Sequence, residues 1–219
     1  MSAHEKDPDA RIPAAGMERR ELLKRMGSIP LAAGIFLSPG RLQAAQEHVQ
    51  RQAKAAAGKG YTPKFFKVQE WPAVRALADI VIPADERSGS ATDALVPEFL
   101  DFILDDPLAE ARDRERLQTR MRGGLAWLAR ECARRSGKSF VDASADERRA
   151  VLDDIAWPAK ARPEMEAGAA FFTLFRDLVA SGFWSSKLGV DDLRFVGNTF
   201  VAEWKGCPPE VLAKAGLQG

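Results

Sequence analysis

Histidine and cysteine carry much of the acid/base, nucleophilic and metal chemistry of proteins near neutral pH. This chain of 219 residues has two of each. Both histidines, His4 and His48, precede Tyr61, where we expect the folded region to begin. A folded region without histidine excludes histidine-based acid/base catalysis, Ser-His-Asp nucleophiles and most zinc sites. The sequence therefore predicts no catalytic and no metal-binding residues in this chain.

The two cysteines, Cys132 and Cys207, lie far apart in the chain, so there is no C-x-x-C redox pair and no C-x-x-C-H haem-attachment motif. Two interpretations stay open for them. An oxidising compartment would allow a disulfide between Cys132 and Cys207. A buried free thiol is the alternative, because Cys132 falls on an apolar helical stripe.

Other catalytic and cofactor patterns are missing from the sequence as well. Three acidic pairs occur, but neighbouring residues on a helix point in different directions, so they do not form a shared-proton dyad. The pairs are Asp105-Asp106, Asp153-Asp154 and Asp191-Asp192. No glycine-rich phosphate loop is present, so the chain shows no site for NAD, FAD or ATP. We expect no cofactor in this chain.

The N-terminus has the order of a secretory signal, in which basic residues precede an apolar stretch. Two adjacent arginines open it, which fits a twin-arginine export signal. The signal residues are Arg19, Arg20, Leu22, Leu23 and Lys24. This predicts a periplasmic protein exported in the folded state, able to carry a partner with it; the alternative is the amphipathic start of a helix. Ala45 is a weak cleavage site, because Gln43 stands at the −3 position, where signal peptides have a small residue. Whether the segment is removed therefore stays open.

This N-terminal part differs from the rest of the chain in its net charge. Residues 1–60 hold 10 basic and 6 acidic side chains, whereas residues 61–219 hold 22 basic and 25 acidic ones. The net charge of +1 argues against nucleic-acid binding. The one strongly apolar stretch is too short to span a bilayer. We predict a signal segment at 1–45, a linker or weakly held helix at 46–60, and a folded domain at 61–219.

The folded domain is predicted to be all-α, an irregular bundle of about five or six helices with long ordered loops behind an extended N-terminal segment. No alternating β-pattern exceeds four residues, and apolar residues recur at helical spacing. Helices are expected over 71–82, 96–104 and 107–135, after a capping box at Ser144 and Glu147, and from Pro163 through Trp184. Within the long helix, Gly123 and Gly124 suggest the close approach of another helix.

Arginines crowd the long helix, and two interpretations stay open for them. They are Arg112, Arg114, Arg116, Arg120, Arg122, Arg130, Arg134 and Arg135. One interpretation is a solvated helix face. The other is an interface with an acidic partner, since arginine pairs with carboxylates through two parallel hydrogen bonds.

The last long helix has more aromatic residues than one narrow stripe needs: Phe171, Phe172, Phe175, Phe183 and Trp184. Most should lie in the core. One or two of them, together with Trp204, could anchor a partner. The residues we expect to contact a partner are Phe183, Trp184, Asn198 and Trp204.

Several segments resemble the small-subunit family of gluconate 2-dehydrogenase, known as subunit 3. They are residues 77–85 (LADIVIPAD) with the Ser/Gly/Ala loop behind them, 96–104, 171–178 (FFTLFRDL) and 182–189 (GFWSSKLG). The most specific is the tail at 196–209, VGNTFVAEWKGCPP. With the twin-arginine start, the resemblance covers most of residues 17–215, and it is loose between 112 and 138.

The resemblance implies a non-catalytic subunit that supplies export and stability to a large FAD-containing subunit of the glucose–methanol–choline (GMC) type. That large subunit carries the flavin and the catalytic histidine, and oxidises CH–OH groups of sugars, sugar acids or glycosides. A haem-bearing cytochrome c commonly takes the electrons, and the complex is associated with the inner membrane. The twin-arginine translocase is the other expected partner. The alternatives are an independent periplasmic binding or scaffold protein, which needs a deep apolar pocket, and a carboxylate-based glycosidase.

Overall fold

The structure, a computed structural model, describes residues 38–55, 61–194, 203, 206–207 and 209–216. Within these ranges it contains eight α-helices, two short 3-10 turns and no strand. The predicted all-α class is confirmed, and the number of helices is slightly higher than expected. The helices are α1 (Pro39–Ala55), α2 (Trp71–Val81), α3 (Val96–Asp105), α4 (Ala111–Ser136), α5 (Ala145–Asp153), α6 (Glu166–Ser185), α7 (Lys187–Asp192) and α8 (Pro209–Lys214).

Helices α2 and α3 begin and end where local sequence signals place them. Each has a proline in its first turn, where the missing N–H costs nothing. Helix α2 ends just before Pro83, which cannot continue it. Leu95 precedes α3 in the left-handed conformation, with φ 59°, an uncommon geometry for a residue with a side chain. The loop between the two helices must therefore be held firmly by other contacts.

Helix α4 begins later than predicted. Pro107 lies in a turn closed by the Asp106 carboxylate, which accepts from the Leu108 N–H at 2.9 Å, and α4 starts only at Ala111. Its end agrees with the prediction. Gly137 takes a φ of +69° there, and its N–H donates to the Ala133 carbonyl. Pro107 therefore lies in a turn before α4 and is not the first residue of that helix.

The predicted capping box opens α5. Ser144 Oγ accepts from the Glu147 N–H at 3.2 Å, and Glu147 Oε2 accepts from the Ser144 N–H at 2.7 Å. Pro163 opens a 3-10 turn that leads directly into α6 at Glu166. Helices α7 and α8 lie in the tail, where the sequence analysis predicted no helix.

Helix α6 is the centre of the core. It packs against α1, α2, α3, α4 and α7. Phe175 in its middle and Phe99 of α3 are fully buried. Two reciprocal glycine contacts bring α4 and α6 together: an added Cβ at Gly124 would overlap the Phe171 ring, and one at Gly168 would overlap the Trp127 ring. None of the described helices is both long and apolar enough to cross a membrane.

Helix α1 joins the core, although the sequence divides its residues between a signal segment and a linker. Ala45 and Val49 are buried, and α1 packs on α3 and α6. An ion pair of 2.6 Å joins Arg41 to Asp106. Of the two interpretations of residues 46–59, the structure therefore shows the helix as far as Ala55, and the folded region begins before Tyr61.

Candidate partner-binding surface

The corner between α6 and α7 is built by side chains that satisfy the end of one helix and the start of the next. Ser186 Oγ accepts from the Gly189 N–H at 3.0 Å, which caps α7, and donates to the Phe183 carbonyl at 2.7 Å. Gly189 touches the end of α6 so closely that a Cβ there would overlap the Phe183 carbonyl. The two helices therefore meet in a rigid bend.

The inner side of this corner is tied to α1 and α3. A Cβ at Gly182 would come within 2.7 Å of the Phe99 ring, so the backbone of α6 lies directly on that ring. The Gly182 carbonyl accepts from Gln46 Nε2 at 2.7 Å, and the same amide lies 3.2 Å from Ser185 Oγ. Gln46 is a buried polar residue that the sequence analysis assigned to a linker. The sequence only weakly indicated that Gln46 is buried, because glutamine on a polar, alanine-rich segment normally faces solvent.

Phe183 and Trp184 have opposite roles at the corner. Phe183 is 1% exposed and belongs to the core, so it is not a surface residue and our expectation of a partner contact there is corrected. Trp184 is 40% exposed, and its ring stands edge-on to Phe183 at 5.0 Å between centroids. A large aromatic side chain held rigidly at the surface is typical of interface anchors.

The other predicted partner contacts, Asn198 and Trp204, lie outside the described residues, as do the export residues Arg19, Arg20, Leu22, Leu23 and Lys24. The remaining aromatic residues of α6 are core residues, as expected for most of them: Phe171, Phe172 and Phe175 are buried.

The loop between α2 and α3 faces the same corner across a groove of about 490 Å³. Asp79 fixes this loop by accepting from the N–H and the hydroxyl of Thr92, both at 2.8 Å. At the groove, an ion pair of 2.8 Å joins Arg87 to Asp192. The groove and Trp184 both lie at the α6–α7 corner, and the groove carries charges of both signs.

A buried carboxylate positions the segment that precedes α2. Asp101 of α3 is fully buried and accepts from the Tyr61 hydroxyl at 2.8 Å. It also accepts from three backbone N–H groups, those of Lys64, Phe65 and Phe66, at 2.8 to 3.0 Å. Burial and this hydrogen bond raise the pKa of Tyr61 above its usual range. No sequence pattern indicated the role of Asp101, since three of its four donors are backbone groups.

His48 lies on a packed helix, which corrects the expectation that both histidines precede the folded region. Its ring lies 4.4 Å from that of Phe102, beside a cavity of about 310 Å³ that Tyr61 and Leu108 also line. Burial lowers the pKa of His48, and the nearby charges of Lys64 and Arg51 lower it further. Among the described residues, no group of three or more His, Cys, Asp or Glu side chains could hold a metal ion.

The two cysteines are both free thiols in the structure. Cys132 is buried on the apolar side of α4, where burial raises its thiol pKa. Cys207 is exposed. The disulfide between Cys132 and Cys207 stays a prediction.

Four of the eight α4 arginines make contacts within the chain. Arg122 binds Glu70 at 2.8 Å, donates to the Phe65 carbonyl and lies over the Phe65 ring. Arg114 donates to the Asp106 carbonyl at 3.1 Å. Arg134 and Arg135 both bind Glu131, and hydrogen bonds from them hold the pKa of that carboxyl down to about 2. These four arginines have structural roles.

The all-helical fold and its GFWSSKLG corner can now be compared with known proteins. The model of the gluconate 2-dehydrogenase subunit 3 family matches residues 68–203, more than half of the chain. The chain belongs to the gluconate 2-dehydrogenase subunit 3 family. No curated protein and no solved structure gives a significant match.

Proposed function

We propose that this chain is the non-catalytic small subunit of a periplasmic FAD-dependent dehydrogenase of the GMC type. The large subunit carries the flavin and oxidises CH–OH groups of sugars, sugar acids or glycosides. The small subunit accompanies it through twin-arginine export and stabilises it. A cytochrome c accepts the electrons and associates the complex with the inner membrane.

Family membership carries this proposal, because the family is named for one subunit of a dehydrogenase. The α6–α7 corner supports it. In the matched region, a rigid bend is formed by Gly182, Ser186 and Gly189, and this bend exposes Trp184 to solvent. A fixed aromatic side chain loses little conformational entropy when a partner covers it, which favours binding.

The complex itself is the first test. The tagged chain is isolated from its own organism, and the proteins that come with it are identified. We expect a flavoprotein partner in a fixed ratio and dye-linked oxidation of a sugar by the complex, with none by the separated chain. A monodisperse monomer without a flavoprotein would contradict the proposal, and so would sugar oxidation by the isolated chain.

Export is the second test. The variant Arg19→Lys/Arg20→Lys should leave both this chain and its large partner in the cytoplasm, because the twin-arginine pathway reads that pair. The control variant Arg11→Lys/Arg25→Lys makes the same chemical change beside the motif and should export normally. The large subunit's appearance in the periplasm of cells with the first variant would reject joint export.

A second candidate function, an independent binding or scaffold protein, is favoured by the cavity beside His48. It predicts a small-molecule ligand that is retained when the chain is purified alone. Native mass spectrometry of the isolated chain distinguishes the two candidates. A bound metabolite without any flavoprotein partner would support the second.

A further inference from the structure

The other four arginines of α4 have no internal role in the part of the chain that the structure describes. Arg112, Arg116, Arg120 and Arg130 make no side-chain hydrogen bond or ion pair with the described residues. Three of them are exposed, and Arg120 is half-buried. Helical spacing places Arg112, Arg116 and Arg130 on the side of α4 opposite its buried residues, and Arg120 at the edge of that side. The buried residues are Leu117, Met121, Leu125, Leu128 and Cys132. We call these four residues the arginine face.

The arginine face is long, and a glycine near its middle leaves the helix backbone accessible. From Arg112 to Arg130 it extends for about 27 Å at the rise of an α-helix. Gly123 lies on the same side of α4, and nothing approaches within 4 Å of the place where its Cβ would be. Trp127 is turned down onto Gly168 of α6. A partner can therefore approach the backbone of α4 between the arginines.

The charge on α4 is not balanced within the helix. It contains eight arginines and three acidic residues, a net charge of +5, while the whole chain carries +1. One of the acidic residues, Glu131, is already bound to Arg134 and Arg135. Like charges three and four positions apart on a helix repel each other. Negative charge from outside the chain would relieve this repulsion.

A groove lies beside the arginine face. It has a volume of about 670 Å³ and runs between Lys64–Phe65 and the Thr119–Gly123 stretch of α4. Lys64 and Arg122 line it together with one acidic residue, Asp105. The groove gives room for a segment of another protein next to the arginines.

We infer that the arginine face docks an acidic surface of the flavin-bearing large subunit, an inference that rests on the proposed function. Guanidinium groups bind carboxylates through two parallel hydrogen bonds, and α4 has no lysine. A lipid surface is the less suitable occupant, since helices that bind membranes insert large apolar side chains. The arginine face has none that is fully exposed, because Trp127 is packed against α6.

The test compares two variants that remove the same charge. The first is Arg112→Gln/Arg116→Gln/Arg120→Gln/Arg130→Gln on the arginine face. The control is Arg51→Gln/Arg149→Gln/Lys160→Gln/Lys214→Gln, four exposed side chains on other elements that make no side-chain bond with the described residues. Affinity for the large subunit is measured by calorimetry at several salt concentrations, and thermal unfolding of each isolated variant checks the fold.

We expect the first variant to raise the Kd by about tenfold or more and to flatten its dependence on salt. Its thermal midpoint should be no lower than that of the native chain, because the repulsion within α4 is reduced. The control should bind like the native chain. Equal affinities of the first variant and the native chain would overturn the inference while leaving the proposed function intact. A native chain that does not bind the large subunit would instead overturn the proposed function. Binding of each variant to phosphatidylglycerol vesicles is measured as well. If the first variant lost vesicle binding while its affinity for the large subunit stayed native, the arginine face would bind a lipid surface and the inference would be rejected.

Discussion

The α6–α7 corner and the arginine face of α4 use their side chains in opposite ways. At the corner, buried positions are filled by Gly182, Phe183, Ser186 and Gly189, and Trp184 beside them is a large apolar side chain that is exposed. On α4, the side chains of the arginine face make no hydrogen bond or ion pair with the part of the chain that the structure describes. Substitutions at the buried positions of the corner should therefore lower the stability of the chain. Substitutions on the arginine face should weaken partner binding.

The largest effect is expected at Phe183. Phe183→Ala would leave a cavity in the core and should lower the free energy of unfolding by about 4 kcal/mol. Denaturant unfolding measures this change. The affinity of the folded fraction for the large subunit should stay native, because the side chain is buried within this chain. A native-like stability with a weakened complex would make Phe183 an anchor after all and break the comparison.

The two adjacent glycines of α4 give the next largest effect, and they should differ in sign. Gly124→Ala places a methyl group on the Phe171 ring, which we expect to cost about 3 kcal/mol of stability. Gly123→Ala is the matched control, and it should stabilise the helix by about 1 kcal/mol because its site is open. Thermal unfolding distinguishes the two. Similar effects at both positions would mean that α6 does not approach α4 through Gly124.

Trp184 sharpens the comparison because it lies next to Phe183. Trp184→Ala should weaken the complex by about 2 kcal/mol, roughly thirtyfold in Kd, if the ring is covered by the large subunit. Titration calorimetry with the purified subunits measures this. The control is Trp157→Ala, a change of the same size at an exposed tryptophan away from the corner. If both variants bind like the native chain, the corner is not the contact.

The smallest effect is expected at Glu98, a buried carboxyl with one oxygen that has no hydrogen-bond partner among the described residues. Burial raises its pKa, so folding favours the protonated form. Its contribution to stability is therefore present at pH values below the pKa of the unfolded chain and is lost as the pH rises through the higher pKa of the folded chain. Glu98→Gln should gain roughly 1 kcal/mol over the native chain at pH 7 and lose that advantage near pH 4. Unfolding at the two pH values tests this, and a gain that does not change with pH would contradict it.

Local signals explain why much of the fold could be predicted. The prolines of α2 and α3, the capping box of Ser144 and the helical spacing of apolar residues depend only on neighbours in the chain. Helical phase also distinguishes Phe183 from Trp184. Phe183 follows the buried Phe175 and Val179 at intervals of four, which places it in the core and Trp184 outside.

The parts that could not be predicted depend on distant residues. Helix α1 buries alanine, valine and glutamine, and its burial depends on Gly182, which lies 136 positions further along the chain. Likewise, Arg122 and Arg135 find their partners on the 61–70 segment and on Asp154, so the sequence could not separate the engaged arginines from those of the arginine face. The three-dimensional structure was needed to make that distinction.

The position of Ala45 in α1 has a consequence for processing. A peptidase needs its substrate unfolded in its active site, yet Ala45 is 0% exposed in the middle of a helix packed on α3 and α6. Cleavage after Ala45 would also detach Arg41 from the chain that holds its partner Asp106. Under the proposed export of the folded chain, the burial of Ala45 would shield this bond from the peptidase, and the N-terminal segment would stay attached.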